Sequence, residues 1–189
     1  MVNNMLHIIT GGSGSGKSVY AEDQILKLGP AKRIYIATMH PFDSESKKRV
    51  ERHRTMRSGK GFETIECYTN ISCLTELDGA NILLECMSNL VANEMYEQGG
   101  AGLNTVDTVL EGIRHLKKQA KNLIIVTNEI FSDVQQYDEE TLRYMQYLGE
   151  INCQMIKEAD CVTEVVYGIP IYIKTQEPKV HEELQLSKK

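Results

Sequence analysis

Cysteine is sparse and unpaired in this sequence. Its 189 residues hold five, Cys67, Cys73, Cys86, Cys153 and Cys161, an odd number with no C-x-x-C spacing. That pattern argues against a disulfide framework and against a zinc site, and fits reduced thiols in a cytoplasmic protein. No apolar run approaches the roughly 20 residues that a membrane helix needs. The opening MVNNMLHIIT has no basic n-region, so neither a span nor a signal peptide is expected. Basic charge is also short: 21 Lys and Arg stand against 26 Asp and Glu, for a net charge of −5. Phosphate backbones are bound by basic surfaces, so nucleic acid is not the expected partner. Linkers, repeats and low-complexity tracts are missing. The expectation is a single domain over residues 1–189, with a polar tail that frays from about residue 176.

What is present alternates. LHIIT (6–10), RIYIAT (33–38), NILLEC (81–86) and NLIIVT (122–127) are short and nearly continuously apolar. Strands of that kind belong to a parallel sheet covered on both faces. Helical spacing runs from Lys17 to Leu28, again through Val106, Val109, Leu110, Ile113, Leu116 and Ala120, and again through Leu142, Met145, Leu148, Ile151, Met155 and Ala159. CVTEVVYG and IPIYIK, divided by a Gly and a Pro, read as two strands joined by a tight turn. The pattern predicts an α/β fold with a mostly parallel sheet and an antiparallel pair at the C-terminal end.

The strand at 6–10 leads into TGGSGSGKS. Gly11, Gly16, Lys17 and Ser18 match G-x-x-x-x-G-K-[ST], with Gly12, Ser13, Gly14 and Ser15 between them. Glycines let the backbone curl until its N–H groups face an anion, and the helix that begins here adds the positive end of its dipole. The lysine reaches the β- and γ-phosphates and the serine hydroxyl coordinates Mg²⁺. With a strand before and a helix after, the segment reads as a phosphate-binding loop in a P-loop NTPase-like three-layer sandwich. Such a site needs a carboxylate at a neighbouring strand end. Glu85, closing NILLE, is the first candidate and Glu129 the second; at Glu85 a metal-organising role and a plain solvent-facing role are equally open. No N-K-x-D base-reading motif is present, which removes Ras-type GTPases. Kinases and ATPases remain.

Ser44 to Lys60 is a basic island in an acidic chain. It carries Lys47, Lys48, Arg49, Arg52, Arg54, Arg57 and Lys60 against Glu45 and Glu51. On a helix, Arg49, His53 and Arg57 share one face. Spacing alone favours a solvated surface histidine there. A nucleophile flanked by guanidiniums is the alternative. His40, after the second strand, is a weaker candidate for the site.

Taken together, these segments resemble the bifunctional adenosylcobinamide kinase/adenosylcobinamide-phosphate guanylyltransferase family of cobalamin biosynthesis. The resemblance runs from Leu6 to about Lys174. It is carried by TGGSGSGKSVYAE, YIAT (35–38), RVERHRTMR (49–57), ETIE (63–66), ILLEC (82–86), VTNE (126–129), GEIN (149–152) and YGIPIYIK (167–174). It implies phosphorylation of adenosylcobinamide with ATP or GTP. Transfer of GMP from GTP to the resulting phosphate follows, through a guanylylated histidine that falls on His53. The product is adenosyl-GDP-cobinamide. Catalytic roles fall on His53 and Lys17, and Mg²⁺ on Ser18 and Glu85. Nucleotide contacts fall on Gly11 to Ser18, on Ala37, Thr38 and Met39, on Arg54, Thr55, Met56 and Arg57, and on Glu66 and Glu85. The partners implied are a corrinoid, nucleoside triphosphates and further copies of the chain in a homotrimer.

The sequence departs from the family in two places. The glycine-containing run after VTNE is IFSDVQQ (130–136) here, and the tryptophan before the T-x-E segment is Phe62. The first departure motivates one rival reading, an enzyme that has lost one half-reaction; a nucleotide sensor without corrinoid chemistry is a second rival, of another class.

Overall fold

The computed structural model describes residues 4–42, 44–132 and 136–175, with the side chains of Glu45, Arg49 and Met56 outside the description. The expected frayed tail, His181 and the middle of the 130–136 loop also lie outside the described residues. Among those described, seven strands form one sheet in the order β3-β2-β4-β5-β1-β6-β7. Their ranges are β1 Met5–Thr10, β2 Arg33–Ala37, β3 Phe62–Glu66, β4 Asn81–Glu85, β5 Asn122–Val126, β6 Cys161–Val166 and β7 Ile169–Lys174. β1 to β6 run parallel, and β7 returns antiparallel on β6.

The four apolar runs fall on β1, β2, β4 and β5, and all five residues of β4 are buried. Alternate side chains serve two cores because the pleat sends them to opposite faces. Ile8, Ile34, Ile36, Leu84, Leu123 and Ile125 pack under α3 (Met87–Tyr96), α4 (Thr105–Gln119) and α5 (Glu139–Glu158). Ile9, Tyr35, Leu83, Ile124 and Val165 face Ala21 and Ile25 of α1 (Lys17–Lys27). The three-layer sandwich is as expected. Two elements lay outside the periodicity reading. β3 is an edge strand with exposed positions, so it has no continuous apolar run. α3 buries Ser88, Asn93 and Glu94 along with Met87, Leu90 and Val91, so no exposed polar stripe marks it.

The basic island is helix α2, Ser44–Arg57. The C-terminal hairpin is the antiparallel pair expected, with IPIYIK as β7. Its turn is Tyr167–Gly168, both at positive φ, and Pro170 lies inside β7. A two-residue turn needs left-handed backbone at both positions, while an edge strand tolerates a residue without an N–H.

Two buried polar contacts carry measurable consequences. Glu22 of α1 is fully buried, and Lys60 donates to its Oε2 at 2.6 Å. Removing the cation strands a carboxylate in an apolar setting. Lys60→Met is expected to cost about 2 kcal/mol in urea unfolding, below the ~3–5 of a wholly buried pair because Lys60 keeps part of its water. An unchanged midpoint would show that the contact contributes nothing to stability.

His7 is buried in β1, its Nε2 2.9 Å from the Thr163 hydroxyl of β6, and burial pushes its pKa down from 6.5 to about 4. The unfolded chain therefore takes this proton at a higher pH than the folded one. The stability held by neutral His7 is complete above about pH 6.5 and is lost as pH falls through 4. Wild type should lose ~2–3 kcal/mol between pH 7 and 4 through this group, and His7→Asn should flatten the slope of stability against pH over that interval. Equal slopes in the two proteins would refute the assignment.

Candidate active site

The carboxyl ends of β1, β2 and β4 meet at one edge of the sheet, where open α/β sheets bind ligands. Residues 11–16 curl between β1 and α1. Gly11 has φ 153°, and a Cβ there would lie 2.5 Å from the Val165 carbonyl oxygen. Gly16 has φ 93°, and its missing Cβ would stand 3.3 Å from Gly168 Cα. Both positions demand glycine on steric grounds. The hairpin turn braces the loop, since the Gly168 N–H donates to the Ser15 carbonyl at 2.8 Å. α1 has no side-chain cap, so its first N–H groups stay open to an anion. Lys17 lies back over the loop, donating to the Gly12 carbonyl at 3.0 Å.

Glu85 is the hub. Its Oε1 accepts a hydrogen bond from the Ser18 hydroxyl and lies 3.9 Å from His53 Nδ1. Its Oε2 accepts from the Tyr35 hydroxyl at 3.1 Å. β-sheet register explains the meeting. Ala37 pairs with Glu85, and Tyr35, two residues earlier on β2, points to the same face. Of the two strand-end carboxylates, Glu85 reaches the loop. Glu129 Oε1 instead accepts from the Phe131 N–H.

Two hollows join at this hub. One holds Ser13 to Ser18 together with Arg52, Asn89 and Asn128. The other is a partly open cavity between β2, β3 and α2, with Val50, Arg54, Arg57, Glu66 and Tyr68 in its wall. Met39, His53, Glu85, Cys86 and Asn89 line both. His53 is therefore neither a free surface residue nor a core one: it is partly exposed, and its Nδ1 has no hydrogen-bond partner among the described residues.

The cavity's charges are arranged. Arg57 is buried, its guanidinium carbon 3.4 Å from the Tyr35 ring centroid, and its Nε and Nη1 have no hydrogen-bond partner among the described residues. Arg54 pairs with Glu66, whose other oxygen accepts from the Tyr68 hydroxyl at 2.9 Å. Those two donors hold the Glu66 carboxyl below its usual range. Burial beside Glu66 pushes the Tyr68 phenol up to about 12, so it stays a donor.

The remaining expected residues divide. Ala37 and Met39 line the cavity. Thr38 is buried and acts on the backbone: its hydroxyl donates to the Cys86 carbonyl at 2.8 Å and accepts the Cys86 N–H at 2.7 Å. Thr55 is not brought to the cleft; its hydroxyl turns back to the Glu51 carbonyl at 2.9 Å. The Met56 and Arg49 side chains lie outside the described residues. His40 stacks on Phe42 and against Tyr68 at the cavity's rim, ring centroids 4.1 and 4.3 Å away. Sequence reasoning missed the site roles of Tyr35, Asn89 and Asn128. Tyr35 sits inside an apolar strand, and only its alternation with Ala37, the register partner of Glu85, marks it.

The donor set fits Mg²⁺: a hydroxyl and a carboxylate are hard oxygen ligands, and Mg²⁺ takes few from protein and the rest from water and phosphate. Among the described residues no helix is long and apolar enough to cross a membrane.

The family model for cobinamide kinase / cobinamide phosphate guanyltransferase matches residues 7–173. The bifunctional adenosylcobalamin biosynthesis protein CobU of Salmonella typhimurium is 30% identical over 90% of this chain and 100% of its own length. The protein of the same name from Escherichia coli is 28% identical over the same shares. Among solved structures, a KaiC-like protein from Pyrococcus horikoshii superposes with a TM-score of 0.52 at 10% identity, over 93% of this chain and 81% of that one. That likeness concerns the fold.

Proposed function

The chain belongs to the cobinamide kinase / cobinamide phosphate guanyltransferase family, and from that premise we propose that it phosphorylates adenosylcobinamide and then transfers GMP to the phosphate through His53. The observation that carries this is the place of His53 at the junction of the two hollows, with Nδ1 toward Glu85. A base in the cavity and phosphates on the loop would then lie on either side of the imidazole.

GTP suits the cavity. Guanine presents the O6 and N7 acceptors beside N–H donors. The open donors of Arg57 and the oxygens of Glu66 offer the complement. In the transfer, the imidazole nitrogen Nε2 attacks the α-phosphorus. The P–N bond forms, the bond to the β-phosphate oxygen breaks, and pyrophosphate leaves with the electron pair. The corrinoid phosphate oxygen then attacks the same phosphorus, and the P–N bond returns its electrons to the ring. Arg52 and Lys17 stabilise charge on the phosphates. In the kinase step, with ATP or GTP, the Lys17 ammonium and the open N–H groups of α1 hold the γ-phosphate for attack by the substrate hydroxyl. Mg²⁺, held by Ser18 and Glu85, would neutralise phosphate charge. The exposed β7 edge, with Ile169, Ile171 and Ile173 facing out, supports assembly of single-domain copies, a trimer by family.

The test is covalent labelling. Protein incubated with α-labelled GTP and Mg²⁺ should retain acid-labile label after denaturation, whereas γ-labelled GTP should leave none on His53. Protein that binds GTP without retaining label would refute the histidine intermediate.

A further inference from the structure

Tyr35 carries a polar group where the fold has no packing need for one. It lies between Ile34 and Ile36 in β2, is 4% exposed, and its ring packs with the edge of Phe62 at 6.3 Å and 85°. Phenylalanine would fill that space, and a buried hydroxyl costs desolvation unless it is used. Here it is used on Glu85 Oε2. Burial and the neighbouring Glu85 hold the phenol well above its ordinary pKa, so it remains a donor to that carboxylate.

The opposite contact leads elsewhere. The Tyr35 ring lies under Arg57, the cavity cation whose Nε and Nη1 await acceptors. The other Glu85 oxygen serves Ser18 and faces His53. One side chain therefore joins, through its ring, the residue that would meet the base and, through its hydroxyl, the carboxylate that meets the phosphate-loop serine and faces His53.

We propose that Tyr35 is a positioning residue for guanylyl transfer: it fixes Glu85 by Oε2 so that Oε1 stays aimed at Ser18 and His53, and its contact with Arg57 ties that aim to occupation of the base cavity. This rests on His53 being the nucleophile. Here Ser18 holds Oε1, while His53 Nδ1 stands 3.9 Å from it. When the serine hydroxyl turns to the nucleotide, a carboxylate pinned at Oε2 is free to take the Nδ1 proton side of His53 and orient the ring.

The experiment is single-turnover labelling with α-labelled GTP on wild type, Tyr35→Phe and Tyr35→Leu, with GTP affinity and thermal midpoint measured on each. Tyr35→Phe keeps the ring under Arg57 and loses the Glu85 bond. Its labelling rate constant should fall about tenfold, with GTP affinity within about twofold and full labelling amplitude. Tyr35→Leu loses both contacts, so its affinity should also weaken severalfold. A structural role alone would lower amplitude and midpoint and leave the rate constant intact. That result, or a Tyr35→Phe rate constant equal to wild type, overturns the proposal. A wild type that takes no label overturns the histidine reading itself, and this inference with it.

Discussion

With alanine at His53, GMP transfer to the corrinoid phosphate should fall by about 10³-fold or more, while phosphorylation of cobinamide continues near its normal rate. The two activities separate because their reacting atoms differ. On the proposed mechanism, transfer at the α-phosphorus uses the imidazole as a leaving partner in its second step. On the same proposal, transfer of the γ-phosphoryl group uses the loop, Lys17, Glu85 and the substrate hydroxyl, and not the imidazole. The substitution is mild for the fold, since the His53 side chain is a quarter exposed and its Nδ1 makes no hydrogen bond among the described residues. The thermal midpoint should therefore stay within the range of ordinary surface changes. Parallel assays with α-labelled GTP and with γ-labelled ATP on cobinamide check the split. A variant that still transfers GMP at the normal rate would place the covalent step elsewhere, or show direct displacement.

The layout of this site was partly readable before any geometry. The phosphate loop declared itself because its chemistry is local: eight consecutive residues supply the curl, the cation and the hydroxyl. The parallel strands did so through continuous apolar runs, which survive any partner order. What sequence left open is non-local. The choice between Glu85 and Glu129 depends on the order β4-β5-β1, with both strand ends near the loop and the Glu129 side chain turned back to Phe131. The standing of His53 depends on where α2 rests against the sheet. Helical spacing put Arg57 on the face of His53, yet its low amphipathicity gave no sign that Arg57 would be buried over an aromatic ring. β3 escaped because an edge strand needs no second apolar face. The hairpin was legible as two strands about a tight turn; what was not legible is that its turn packs against the phosphate loop, where a Cβ on Gly16 would meet Gly168.

Glu85→Gln should separate the hub from the nucleophile. The carboxylate has donors on both sides, Ser18 at Oε1 and Tyr35 at Oε2. An amide of the same shape keeps one acceptor and turns an NH₂ toward the other donor, so one contact is lost and an N–H meets a hydroxyl hydrogen. The charge that would balance His53 as its phosphorus bond forms also goes. If both half-reactions draw on Ser18, as proposed, both should fall by roughly 10²-fold, unlike His53→Ala, which should spare the kinase. Folding should not suffer in proportion, since the amide fills the same space and keeps one of the two hydroxyl contacts. Kinase and transferase assays on the same preparation, with a thermal midpoint, decide the matter. Loss of transfer alone would assign Glu85 to the histidine. Equal, small losses with a lowered midpoint would reduce it to a structural contact between β2, β4 and α1.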